Sequence, residues 1–309
     1  MEHHERPLPP TVADRPADFD FMPAEEWLAF HCEVYDAIAD LGLAVGQVDP
    51  GAVHLRDGRS IGLLQLAQRC HLREREGWGD LISSHLRTMT VHLLETVEPF
   101  SMFDLRIRLV PDDPADADCF RRVGARPFAE GVVQLLAVDV PGAVRCVPAD
   151  EITSLGWDLD EAWRSAALQT GLLERPDEVQ VVDVAGTEIV HVFSARPFVA
   201  GMVERIDELV HDVAPCGEFG AIVSIPLRHS ILAHPVVDDR AAGALAAMVS
   251  ITRRLHEEGP GAVSPHVYWW QHGTLTWIPS FHDDDGTTEA YLPPELVEAI
   301  ESLPGPGAR

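Results

Sequence analysis

Four tight-turn dipeptides, each set between runs of β-branched and aromatic residues, constrain this chain more than any other feature. Asp57-Gly58, Pro141-Gly142, Ala185-Gly186 and His272-Gly273 supply the positive or preset φ that a strand reversal needs. They predict hairpins of Val53 to Arg56 with Arg59 to Leu63, Val132 to Val138 with Ala143 to Val147, Val179 to Val184 with Glu188 to Ser194, and His266 to Gln271 with Thr274 to Pro279. Two further segments, Asp104 to Leu109 with its strict alternation and Phe219 to Pro226, read as strands.

Between these strands, apolar residues recur every three or four positions. Trp27, Phe30, Val34, Ile38 and Leu41 mark a helix over Pro23 to Leu41; Trp78, Ile82, Leu86, Met89 and Leu93 mark another over Gly77 to Val97. Helices are also predicted from Leu159 to Leu172, from Val199 to Val213, and from Asp238 to a stop at Gly259-Pro260-Gly261. Hairpins alternating with helices predict an α+β fold: a mixed, mostly antiparallel sheet with helices packed against it. Pro and Gly are spread evenly, so residues 23–303 read as one body, with 1–22 an acidic, Pro-rich arm and 304–309 a tail with nothing to bury.

In the last hairpin, pairing Gln271 with Thr274 places Tyr268, Trp270, Leu275 and Trp277 on one face and Val267, Trp269, Thr276 and Ile278 on the other. Both faces are apolar, which predicts a central rather than an edge position.

Composition removes several chemistries. All 23 basic residues are Arg; Lys is absent, and so is Asn, as a GC-rich gene would produce because both use codons beginning with two adenines. Without Lys there is no P-loop, no protein-kinase phosphate clamp and no pyridoxal Schiff base. Fifty Asp and Glu give a formal charge of −27, which disfavours nucleic acid and leaves a basic protein as the partner the charge would suit. No run approaches the roughly 18 apolar residues of a membrane span, and the N-terminus is unlike a signal peptide, so a cytoplasmic chain is expected. The five cysteines are odd in number and lack a C-x-x-C pair, which predicts reduced core thiols.

From about Leu41 to Pro279 the chain resembles the YtpQ-like family of uncharacterised bacterial proteins. The matching stretches are the hairpin and helix over Val53 to Leu72, the run Leu136-Ala137-Val138-Asp139 with Ile152, Leu155, Trp157, Ala162 and Ala166 beyond it, and the blocks Phe219 to Pro226 and Trp269 to Pro279. The resemblance implies a shared fold and carries no activity.

Candidate site residues are few. Gly58-Arg59-Ser60-Ile61-Gly62 matches the G-x-S-x-G pattern of a serine nucleophile, although the hairpin reading puts Ser60 in a strand. Of the 15 histidines, His229, His234, His266, His272 and His282 could serve as bases or metal ligands only if the fold gathers them; no ligand spacing is present and no metal or cofactor is predicted. His282 to Gly286 lacks the ligand pattern of a calcium loop. Arg106 and Arg108 share a strand face that suits an anion, and Trp269, Trp270 and Trp277 suit either a binding surface or a core. The leading expectation is a motif-free protein acting through protein contacts, in an accessory, immunity or stress-related role. The alternative is a hydrolase working through histidine-bound metal or through Ser60. A well-formed polar pocket with converging His, Asp and Ser or Arg side chains would weigh against the first reading.

Overall fold

The computed structural model describes residues 11–56, 60–94, 99–140, 143–184, 186–282 and 288–303. The tips at Asp57-Gly58 and Pro141-Gly142, the residues Met1 to Pro10 of the expected arm, Asp283 to Gly286 and the tail 304–309 lie outside them. The chain groups into two units, Met1–Pro99 with Pro141–Ala143 and Glu258–Pro260, and the remainder from Phe100 onward. The even Pro/Gly punctuation gives no sign of a boundary near Pro99.

In the first unit, helix α1 (Ala24–Leu41) buries Trp27, Phe30 and Val34 as its spacing predicts, and Gly42 ends it at φ 61°. Strands β1 (Val45–Asp49), β2 (Ala52–Leu55) and β3 (Ser60–Gly62) form an antiparallel sheet, followed by α2 (Leu64–His71) and α3 (Trp78–Leu94). The arm expected over residues 1–22 is corrected for its described part. Val12–Asp14 and Ala17–Phe19 form short 3-10 turns, Arg15 donates to the Met22 carbonyl at 2.7 Å, and Phe19 and Met22 are buried in the core around α1. A single turn is too short to show periodicity, so only packing reveals it.

The second unit is built on a six-stranded sheet. Its elements are β4 (Leu105–Pro111), α4 (Ala117–Val123), β5 (Arg126–Ala129), β6 (Val132–Val140), β7 (Ala143–Cys146), α5 (Ala149–Ser154), α6 (Leu159–Leu173), β8 (Glu178–Val184) and β9 (Thr187–Phe193). There follow α7 (Ile206–Val210), β10 (Ala221–Leu227), β11 (Ser230–Pro235), α8 (Arg240–Glu258), β12 (Val267–Gln271), β13 (Thr274–Ile278), β14 (Ser280–His282), β15 (Thr288–Ala290) and α9 (Pro294–Ser302). The large sheet has the order β13-β12-β10-β11-β9-β8, with every neighbouring pair antiparallel. The fold is therefore α+β with antiparallel sheets.

One face of the large sheet (Val190, Val192, Val223, Ile231, Tyr268 and Trp270 among others) shares a core with α6, with the 3-10 segment Val199–Arg205 and with Leu105, Ile107 and Leu109 of β4. The other face (Ile189, Ile222, Leu232, Trp269, Ile278) packs on α8 and on Leu296 of α9. The Gln271–Thr274 register and the two aromatic faces of the last hairpin stand as predicted. Its central position is corrected: β13 is an edge strand, and the hairpin is apolar on both faces because layers cover both, not because strands flank both sides. Val199 to Val213, expected as one helix, is a 3-10 turn running into the short α7. Gly220 permits the tight β10–β12 approach; its φ is 72°, and a Cβ there would lie 2.0 Å from the Trp270 carbonyl oxygen.

Candidate functional site

The candidate residues fall into separate settings. Ser60 sits in the β3 ladder opposite His54, not on the turn into α2 that a nucleophile elbow requires. Arg106 turns inward: its Nε donates to Glu174 Oε1 at 3.3 Å and its Nη1 to the Phe103 and Leu105 carbonyls, both at 2.9 Å. Arg108 points Nη1 at the Cys146 sulfur, 3.9 Å away. Trp269 lies in the core beneath α8 with its indole N–H donating to the Phe219 carbonyl at 2.8 Å, and Trp270 donates likewise to Glu204 at 3.0 Å. Trp277 packs against the opposite core.

His266 leads into β12, its ring 5.2 Å from that of Trp277. Its backbone N–H donates to Ser264 Oγ, which donates to Tyr268 Oη, which donates to the Glu130 carbonyl. This chain pins β12 to the β5–β6 turn. His229 stands at the β10–β11 turn against Phe193, with burial chiefly, and Arg228 and His191 in addition, holding it down to about 4. Next to it Ser230 Oγ lies 2.9 Å from His191 Nε2. His272 occupies the β12–β13 turn at φ 49°, and the His282 side chain lies outside the described residues. Among the described residues, no three His, Cys, Asp or Glu side chains gather where a metal would bind.

Of the candidate histidines, His234 lines a cavity. His234, near the end of β11, shares a space of about 320 Å³ with Val181, Glu188, Val190, Val213, Ala214, Pro215, Pro235, Val237, Asp238 and Arg240. Val181 and Val190 face each other across the β8–β9 ladder and give the wall its apolar side. The segment after α7 contributes Val213 to Pro215, the turn before α8 contributes Val237 and Asp238, and the first residue of α8 contributes Arg240. A smaller space of about 220 Å³ shares Glu188, His234 and Arg240 and adds Gly186, Thr187 and Gly243.

The polar groups of this cavity are ordered by short bonds. His234 Nδ1 lies 2.8 Å from the Glu188 carbonyl, which only accepts, so Nδ1 carries the proton and Nε2 of the neutral ring is an acceptor. Arg240 grips Asp238 in a fork, Nε at 3.0 Å and Nη2 at 2.8 Å from Oδ2, and sets Nη1 3.9 Å from Glu188. That fork holds the Asp238 carboxyl below its ordinary range. The cation is thus spent between two carboxylates, and the rim offers acceptors rather than donors. The lining contains no Ser, Cys or Lys.

A second, shallower depression is lined by Asp207, Glu208, His211, Asp212 and Cys216. Burial, with Asp207 adding to it, pushes the Cys216 thiol up to about 11, so it is no thiolate nucleophile at neutral pH.

Sequence reasoning named His234 but missed β11, Glu188, Asp238 and Arg240 as its company. Ser230 to Pro235 is buried on both faces and follows an Arg228-His229 turn, so it shows neither alternation nor a Gly signal. No protein-family model, no curated protein and no solved structure matches the chain.

Proposed function

We propose that this chain is a binding protein whose His234 cavity takes up an apolar group of its partner, with a donor or cation on that group meeting the acceptor rim. The observation that carries this reading is the pairing, in one cavity, of the Val181, Val190, Val213 and Val237 wall with the fixed His234–Glu188 acceptors. His234, Asp238 and Arg240 do converge in this cavity, which weighs toward chemistry. Arg240, however, is held by the Asp238 and Glu188 carboxylates, and the lining has no Ser, Thr, Cys or Lys for a base to activate; on that ground we favour binding over hydrolysis. A formal charge of −27 makes a basic partner the electrostatically favoured one. No described helix is long and apolar enough to cross a membrane, and we place the binding in the cytoplasm. The YtpQ-like resemblance contributes no activity to this reading.

Titration with 3-methylbutylammonium, followed by methyl NMR, tests it. Saturable shifts confined to Val181, Val190, Val213 and Val237, and lost in V213W, are expected. Val213 is 42% exposed and tolerates the larger ring. Shifts absent from those methyls, or spread over the surface, would overturn the reading.

A further inference from the structure

We infer that the group entering the His234 cavity is an apolar side chain of a basic, extended peptide that adds as a further strand to the free edge of β8. This rests on the binding reading above and names the partner.

β8 ends the six-stranded sheet, and among the described residues its only strand partner is β9. Proteins usually blunt such an edge with charged side chains, Pro or a bulge, and the charges of β8, Glu178 and Asp183, turn away an acidic strand but not a basic one. Glu178–Val184 contains no Pro, Lys or Gly, and its register with β9 runs unbroken from Glu178 opposite Phe193 to Val184 opposite Thr187. The edge is therefore a straight template of backbone donors and acceptors. At its middle Val181 is 45% exposed while lining the cavity, so the cavity opens beside the edge.

Charge selects the occupant. Glu178 and Asp183 are both exposed on β8, and the strand carries no cation. A second copy pairing antiparallel about Val181 would crowd Glu178 and Asp183 of both chains, four carboxylates and no cation, along one seam, which is repulsive. A strand with basic residues at those places meets attraction instead.

The geometry also dictates spacing. An antiparallel strand continues the pattern of the whole sheet, and directly opposed residues have Cβ atoms about 5 Å apart on the same face. The residue opposite Val181 then projects into the cavity. The residue two places earlier stands opposite Asp183 on that same face, and the residue three places later stands opposite Glu178 on the other face. The motif is basic-x-apolar-x-x-basic.

The test is fluorescence anisotropy with a labelled peptide Thr-Arg-Thr-Leu-Thr-Thr-Arg-Thr on the full chain. Saturable binding is expected, weakened about tenfold or more by Leu→Asp in the peptide and by the double variant E178R/D183R. A peptide with Glu at both Arg positions should bind E178R/D183R and not the parent chain. That rescue shows that the double variant is folded and that these pairs set the register. Peptide binding untouched by V181R and V213W would place the site elsewhere and overturn the inference. Alkylammonium shifts at the cavity methyls without any peptide binding would overturn the peptide inference alone; absence of both would overturn the binding reading as well.

Discussion

His234 and Glu188 are joined by a 2.8 Å hydrogen bond from the imidazole Nδ1 to the backbone carbonyl, which ties β11 to the start of β9 and settles which ring nitrogen faces a ligand as an acceptor. Nitrogen NMR of the neutral chain should show a protonated Nδ1 and a bare Nε2 at His234. H234F should keep the fold and weaken alkylammonium binding about tenfold, the worth of one hydrogen bond to a charged group.

His31 makes the first unit acid-sensitive. It is fully buried, its ring 4.6 Å from Trp27 and 5.4 Å from Phe30, and both ring nitrogens lack a hydrogen-bond partner among the described residues. Burial chiefly holds it at about 4 against an ordinary 6.5, with the Pro50 carbonyl acting in the opposite direction. The folded form therefore binds fewer protons than the unfolded form. The stability that neutral His31 contributes is complete above pH 6.5 and is lost as the pH falls toward 4, by up to about 3 kcal/mol. Amide protection factors in α1 should fall over that range, and H31F should flatten their pH dependence.

Arg106 and Glu174 form an ion pair with side chains only 14% and 5% exposed. Neutralising one partner leaves the other charge buried alone. E174Q is expected to lower stability by about 3 kcal/mol in urea unfolding, whereas R106M/E174M should recover most of that loss, because two apolar side chains carry no desolvation cost.

Gly220 should not tolerate a side chain. G220A combines an unfavourable positive φ with a clash against the Trp270 carbonyl, and a loss of about 3 kcal/mol is expected by thermal unfolding. Gly62, whose missing Cβ would meet nothing within 4 Å, is the contrasting site where alanine should cost far less.

The sequence by itself determined those elements that keep one face wet and one face dry. The α1 stripe, the alternation of β4 and the Gln271–Thr274 register were all legible because period and turn chemistry are local. The missing Lys excluded whole reaction classes without any structure. Tertiary structure alone decided the rest. β11 is buried on both faces and shows no period; Phe19 and Met22 lie in turns too short to show one; and β13 is an edge because of what lies beside it, which its own residues do not encode. The candidate site belongs to this second kind. His234, Glu188, Asp238 and Val181 come from β11, β9, the turn into α8 and an edge strand, and only the packing of the antiparallel sheet brings them around one cavity.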